Sequence, residues 1–337
     1  MSELRQDILT GNWTVMAPER GEKPASLKTA KARDIRDYPP YDDTCPFCPG
    51  NEEKFDIKTV DKILDDDKSW TTKTIENKYK IFDNFSSCPV VPESFSKHGI
   101  YSYYQGCGNH YIVIEHKVHN LIMGNMGNRE IYNVFSSYKK IATDLKKNPN
   151  NLIAIIFKNQ GAKAGGSQPH AHSQIVGSRI VPAWIRNALH IQEKYFDDHG
   201  GCPMCSLIDY ERGFSKRVVT ETDNVIVLSP YAAGSPYEMW IIPKRHFACS
   251  IDMKDSELRD ISSTLKIVLN AYVLKLNNPD FNYFVHSSPF PLASVPYYHL
   301  YIQIVPRTKS YGGFEIGTKI PVNPVLPEKA VKIFIKN

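Results

Sequence analysis

Two stretches of the chain carry apolar residues at the three- and four-residue steps that place them on one face of a helix. In the first the stripe is Ile131, Val134, Phe135, Tyr138, Ile141, Ala142 and Leu145; in the second it is Leu258, Ile261, Leu265, Val268 and Tyr272. Each predicted helix stops at an Asn-Pro pair, Asn148-Pro149 and Asn278-Pro279, because proline cannot continue the helical ladder. An apolar run of strand character precedes each helix: residues 111–115 (YIVIE) lead to His119, and residues 238–243 (EMWIIP) lead to His246. A second apolar run follows each, LIAIIF from Leu152 and FNYFV from Phe281, then a loop with Gly, Ser or Pro, then a strand predicted to begin at His170 or His299. His119 and His170 are 51 residues apart and His246 and His299 are 53 apart, so the whole series recurs at nearly constant spacing. The pattern predicts two similar halves, each with strands and a packed helix.

A polar break around residues 197–201 separates the halves, which divides the chain into an N-terminal domain, 1–196, and a C-terminal domain, 197–337. The last stretch, 318–337, is too short for a domain and is expected to pack back as a tail. A chain of 337 residues that is 42% hydrophobic and 23% charged suits two folded domains with substantial cores. It holds no apolar run near the roughly eighteen residues a membrane span needs. Its start, MSELRQDILTGNW, has no secretory-signal pattern. The expectation is a cytoplasmic protein without a membrane partner. The net charge of +5 suits phosphate-bearing ligands, but it is too small and scattered to predict a nucleic-acid surface.

Four of the seven cysteines form two pairs in one frame, Cys45-Pro-Phe-Cys48 and Cys202-Pro-Met-Cys205. In a reducing compartment such pairs are more often metal ligands than disulfides, although a redox pair or two core cysteines remain alternatives. With the matched histidines they give two Cys₂His₂ sets, Cys45, Cys48, His119, His170 and Cys202, Cys205, His246, His299, of the kind zinc favours in closed structural sites. Cys88, Cys107 and Cys249 read as small buried apolar residues.

The halves differ at one informative place. The first has His170-Ala171-His172, whereas the second has His299-Leu300-Tyr301. Residues two apart on a strand share a face, so a metal ligand and a reactive imidazole can line one site. A pair needed only for metal would be kept in both halves, which singles out His172; the alternative is a core histidine satisfied by a carbonyl. A neutral imidazole is a nucleophile near pH 7 and can attack phosphorus. Gln174 lies on the same face and can donate amide hydrogens to a phosphoryl oxygen as charge builds there. The loop GAKAGGSQP, 161–169, can bring backbone N–H groups to a phosphate, or can be an ordinary connection.

These features, together with WTVMAPERGEKP, CPFCPGNE, ENKY, FKNQG, SQPHAHSQI, CPMC, WIIPKRH, YYHLYIQIVPR and GGFEIGT, resemble the galactose-1-phosphate uridylyltransferase family, the transferase branch of the histidine-triad superfamily. The resemblance covers almost the whole chain. It implies an α+β fold of two fused histidine-triad-like domains, each an antiparallel sheet with packed helices, and transfer of a nucleoside monophosphate through a covalent histidine. Carried over by motif, His172 is the nucleophile, Gln174 the phosphoryl stabiliser and His170 a zinc ligand. Asn77, Asn159 and Ser167 fall at nucleotide-binding positions, Arg20 at a phosphate contact, and Lys309, Phe314 and Glu315 in the segment that holds sugar phosphate, with a surface carboxylate as the alternative for Glu315. Family members commonly form homodimers. Two departures stand out: Ala171 replaces the usual proline, and Tyr301 replaces a histidine.

The leading expectation is UMP transfer between UDP-glucose and galactose 1-phosphate, in galactose metabolism. The alternative is an adenylyl donor such as ADP-glucose with inorganic phosphate as acceptor. A non-catalytic zinc-stabilised nucleotide-binding protein and a hydrolase are the other readings; the retained His172 and Gln174 speak against the first of these.

Overall fold

The computed structural model describes residues 1–22, 37–85, 96–98, 100–103 and 105–334. In chain order the elements are β1 (Glu3–Gln6), β2 (Trp13–Met16), β3 (Thr59–Leu64), β4 (Trp70–Glu76), β5 (Asp83–Asn84), β6 (Ser96–His98), β7 (Tyr101–Tyr103) and β8 (Cys107–Ile114). Then come α1 (Asn128–Lys146), β9 (Ile153–Gln160), β10 (His172–Ser178), α2 (Ala183–His199), α3 (Pro203–Phe214), β11 (Val218–Glu221), β12 (Val225–Leu228) and β13 (Met239–Pro243). The chain closes with α4 (Asp255–Lys275), β14 (Phe281–His286), β15 (Tyr301–Pro306), α5 (Gly313–Thr318), β16 (Val322–Asn323) and α6 (Pro327–Ala330).

One sheet runs through both halves in the order β11-β12-β13-β15-β14-β9-β10-β8-β4-β3, with β5 beside β8. Read outward from the central β14–β9 contact, each half contributes five strands in the same order of use. That contact is antiparallel and sets Phe284 opposite Phe157 and Asn282 opposite Asn159. The fold is α+β and the main sheet is antiparallel apart from the short β5–β8 pairing. The tail returns as expected: β16 adds in parallel to β2, making a small separate sheet with β1.

The predicted helices are α1 and α4. Every residue of both apolar stripes is buried, and the two helices pack on the same face of the sheet. Each begins at a residue whose N–H is taken by a glutamate three positions on, Gly127 by Glu130 and Lys254 by Glu257, which satisfies a donor the helix leaves free. The second ends through Asn277 and Asn278, both at positive φ, so the chain has left helical geometry before Pro279.

Three elements differ from the sequence expectation. The ladders begin at His172 and Tyr301, two residues after His170 and His299, which are drawn out of the strands toward the cysteines. The polar break around 197–201 is the end of α2, closed by Gly200 in the left-handed conformation. Cys202 stands at the start of α3, with Pro203 at its first position, whereas Cys45 and Cys48 sit in a turn. Of the remaining cysteines, Cys249 is buried with a free thiol and Cys107 is buried but disulfide-bonded; Cys88 lies outside the described residues. Among the described residues no helix is long and apolar enough to cross a membrane.

Candidate active site and metal centres

Alternation along the strands sorts the residues onto two faces. On β8, β10 and β9 the positions of Val113, Ile175, Ala154 and Ile156 face α1 and α4 and join the main core. His110, Ile112, His172, Gln174, Phe157 and Asn159 therefore face the other way, as the register of Gln174 with both Ile112 and Phe157 requires. Both cysteine pairs lie on that second face, packed on Ile112 and Ile114 in one half and on Trp240 and Ile242 in the other.

The first Cys/His set comes together from three segments. The Cys45 and Cys48 sulfurs lie 3.6 and 3.7 Å from His170 Nδ1, and Cys48 Sγ lies 3.5 Å from His119 Nδ1. In the second set Cys205 Sγ is 3.6 Å from Nδ1 of both His246 and His299. The histidine pairs are near copies: centroids 5.1 Å apart at 81° in one, 5.2 Å at 90° in the other. A tetrahedral ion with bonds of about 2.3 Å to sulfur and about 2.0 Å to nitrogen separates neighbouring ligand atoms by about 3.5 Å, so both sets fit such an ion. The far nitrogens of His170 and His299 support the same geometry. His170 Nε2 donates to the His116 carbonyl and His299 Nε2 to the Pro243 carbonyl, both at 2.8 Å, which leaves each Nδ1 lone pair facing the sulfurs. Burial pushes the Cys45 thiol up to about 12, so the thiolate that ligation needs depends on a cation beside it. These are two groups that can hold a metal ion.

His172 opens β10 immediately beyond the first set. Its Nδ1 donates to the His170 carbonyl at 2.9 Å, which fixes the tautomer and leaves Nε2 unprotonated. Burial lowers its pKa to about 4, so the ring is neutral at neutral pH. Phe47, inside the first cysteine turn, packs on it with ring centroids 5.2 Å apart. The first cysteine turn thereby packs directly against the candidate reactive imidazole.

Here β10 and β9 part. Their ladder ends at Gln174–Phe157, while Asn159 and Gln160 pair with β14 alone. The His172 carbonyl, released from the ladder, accepts a hydrogen bond of 3.1 Å from Lys158 Nζ, which also pairs with Glu115 at 2.7 Å. Both charged side chains are completely buried. Removing one partner of such a pair strands the other charge, so Lys158→Met is expected to cost about 3–5 kcal/mol of stability, measured by denaturant unfolding. Adding Glu115→Leu to Lys158→Met should recover part of that loss; a Lys158→Met protein as stable as the parent would rule the pair out as a structural anchor.

The loop after β9 is held by the second half. Gly161 stands at φ +84, and a Cβ there would meet the Asp280 carboxylate at 2.1 Å. Asp280 accepts the Lys163 N–H, and Asn282 Nδ2 donates to Asn159 Oδ1 and to the Ala164 carbonyl, both at 2.8 Å. Asn159 is thus oriented, with Ser167 exposed further along the loop. A cavity of about 380 Å³ adjoins Asn159 between β9, β14 and the start of α2, lined by Phe157, Trp184, Phe284 and His286. A larger one, about 720 Å³, lies by Arg5, Tyr231 and Trp240 and includes none of the candidate residues.

The remaining candidates divide. Asn77 follows β4, and its N–H donates to the His110 carbonyl, which ties it to β8 beside Gln174. Arg20, Lys309 and Glu315 gather elsewhere: Lys309 bonds the Val322 carbonyl and lies 3.5 Å from Glu315, and the positive charge of Arg20 adds to the burial that lowers the Lys309 pKa. Phe314 beside them is half exposed. Among the described residues no hydrogen bond, ion pair or ring contact joins this group to β10. In the second half Tyr301 is buried, stacked on His286 at 4.3 Å and against Trp240 at 4.7 Å, so the position of the second imidazole is filled by packing. Sequence reasoning missed Phe47, His110, Lys158 and Glu115. Only Lys158 left a signal, a lysine two positions after Ile156 on the core-facing side of an apolar strand.

A doubled antiparallel sheet with α1 and α4 on one face and Cys/His sets on the other defines the class of histidine-triad-like nucleotidyltransferases. Residues 1–182 match the family model described as galactose-1-phosphate uridyl transferase, N-terminal domain. The chain is 32% identical to the ADP-glucose phosphorylase of Arabidopsis thaliana over 98% of its own length and 92% of that protein. It is 25% identical to the galactose-1-phosphate uridylyltransferase of Thermotoga maritima over 98% and 97% of the two chains. Among solved structures, that of an Arabidopsis thaliana ADP-glucose phosphorylase with bound ADP-glucose superposes with a TM-score of 0.83 at 31% identity, covering 99% of this chain and 98% of that one. The chain belongs to the galactose-1-phosphate uridylyltransferase family.

Proposed function

We propose that this protein is an adenylyl-transferring phosphorylase that takes ADP-glucose and inorganic phosphate to ADP and glucose 1-phosphate through His172. The observation that carries the choice of donor is the higher identity, along nearly the whole chain, to an ADP-glucose phosphorylase than to the uridylyltransferase relatives. This reverses the order of the two readings expected from sequence alone. UMP transfer between UDP-glucose and galactose 1-phosphate is the second reading, and the family match favours it.

In the first step the Nε2 lone pair of His172 attacks the α-phosphorus. The N–P bond forms as the bond to the bridging oxygen breaks, and glucose 1-phosphate leaves with that electron pair. The ring becomes a phosphorylated imidazolium, and its Nδ1–H keeps the bond to the His170 carbonyl, where the new positive charge is best received. In the second step an oxygen of phosphate attacks the same phosphorus, the N–P electrons return to Nε2, and ADP departs. Gln174 supplies amide hydrogens to the phosphoryl oxygen that gains charge. Zinc belongs to the proposal as a structural ion: Cys45, Cys48, His119 and His170 would hold it and so fix the start of β10 and the Phe47 wall. The domain division at 196/197 and a homodimer are parts of the same reading.

The test is direct. Protein incubated with ADP-glucose labelled in the α-phosphate should become labelled on histidine, and phosphate should discharge the label as ADP. Labelling from UDP-glucose with discharge by galactose 1-phosphate would select the second reading. Label from neither would remove both, and discharge to free nucleoside monophosphate would make the protein a hydrolase.

A further inference from the structure

His110 lies on β8 opposite Val176 and is one of the buried polar residues on the reactive face. Its ring makes two bonds whose directions can be assigned. The backbone N–H of Ile81 points at Nδ1 at 3.1 Å, and an N–H can only donate, so Nδ1 is an acceptor. The proton of the neutral ring is therefore on Nε2, which lies 2.7 Å from Gln174 Oε1. A protonated imidazolium would turn a donor toward the Ile81 N–H, so the same geometry selects the neutral ring; burial, which lowers the pKa of His110, acts in the same direction. With its oxygen engaged by His110, the Gln174 amide has its nitrogen turned outward. Among the described residues that nitrogen has no protein partner.

The second half contains a control. Gln303 occupies the corresponding place, two residues after Tyr301. Its oxygen accepts from His286 Nε2 at 2.8 Å, and its nitrogen donates to Glu238 Oε1 at 2.7 Å. Both ends of that amide are bound within the protein, in the half that lacks the nucleophile. In the half that has it, only the oxygen end is bound. His110 also meets the turn that carries Asn77: its carbonyl accepts the Asn77 N–H, and the Asn77 amide nitrogen packs 3.2 and 3.3 Å from the two ring nitrogens.

We propose that His110 is the positioning residue for Gln174. By donating from Nε2 to Oε1 it turns the amide hydrogens toward the phosphoryl group on His172, and through Asn77 and Ile81 it couples the seating of the nucleotide to that orientation. The inference rests on the proposed transfer through His172.

A double-mutant cycle tests it, with the single-turnover rate of His172 labelling from ADP-glucose as the readout. Gln174→Ala should slow labelling by roughly 10²- to 10³-fold, the scale for loss of one donor at a developing oxyanion. His110→Leu should slow it by roughly 10- to 100-fold, with the loss in rate exceeding the loss in nucleotide affinity. His110→Gln, which has an N–H donor on a similar reach, should restore most of that loss. The double variant should be no slower than Gln174→Ala alone, because a positioning residue has nothing left to position. Multiplying effects in the double variant, or full-rate labelling by His110→Leu, would overturn the proposal. ¹⁵N NMR of the intact protein gives an answer independent of turnover: His110 should carry its proton on Nε2, with a resonance that moves on Gln174→Ala. The Nδ1-protonated tautomer would overturn the assignment. A wild-type protein labelled by neither nucleotide would instead count against the proposed function, and the NMR result would still decide the role of His110.

Discussion

His172→Ala should abolish covalent nucleotide labelling and lower turnover by a factor on the order of 10⁴ to 10⁶, the range for deletion of a nucleophile in a covalent mechanism. The same protein should fold and keep the metal content of the parent. The two expectations go together because of what the ring touches. His172 belongs to neither Cys/His set; its ring bonds the His170 carbonyl and packs on the Phe47 ring, so its removal leaves a small void and one lost hydrogen bond. That change is worth about 1–2 kcal/mol. Neighbouring imidazoles do not substitute for it: the His170 and His119 Nδ1 atoms face the sulfurs, and His110 is bonded at both nitrogens. Intact-mass measurement after exposure to ADP-glucose, with a melting curve and metal analysis on the same sample, checks all three. Full turnover in His172→Ala would remove the nucleophile assignment and with it the proposed mechanism.

The difference between the two histidine pairs was legible in the chain because the duplication supplies its own comparison. His299 keeps the place of His170 while Tyr301 takes that of His172, and the structure gives the reason: the position is filled by a ring stacked between His286 and Trp240. The two long helices were legible from period alone, since a stripe that must face a sheet has to repeat every three or four residues. What escaped was whatever depends on register. That His110 stands beside Gln174 follows from β8 pairing with β10 and not with β9, its neighbour in chain order, and nothing in either segment announces it. The Lys158–Glu115 pair joins the ends of two strands that are neighbours only through β10. The bracing of the first half's loop by Asp280 and Asn282 depends on the β14–β9 contact, the join between the halves, which a repeat seen in sequence leaves undetermined. Lys309, Phe314 and Glu315 were expected together and Arg20 apart from them at a phosphate contact; that Arg20 instead lies near Lys309 depends on how the tail returns onto β2, which chain order leaves undetermined.

Loss of the first metal set should have the second large effect, and its pattern separates a structural ion from a reactive one. His170→Ala should reduce bound zinc from two per chain to one, lower the melting temperature and remove most labelling of His172, even though His172 is intact. Three connections lead from the set to His172: His170 is two residues from it, the His170 carbonyl holds its Nδ1, and Phe47 between Cys45 and Cys48 packs on its ring. With the ion gone, the three remaining buried ligands lose a shared partner, and the turn that carries Phe47 keeps only its own hydrogen bonds and its packing on Ile112 and Ile114. A closed structural site contributes several kcal/mol to folding, so an equal loss from Cys48→Ser is expected, and chelation of the wild type should reproduce it. His299→Ala removes the corresponding residue of the second set, which packs under α3 and, among the described residues, shares no hydrogen bond or ring contact with His172 or Gln174. It should also reduce zinc to one per chain and destabilise, but leave labelling much closer to the parent. The comparison of the two variants is decisive: equal losses of labelling would make the ion's effect a general one on folding, and a wild-type protein that binds no metal under reducing conditions would leave Cys45, Cys48, His119 and His170 as a buried polar cluster.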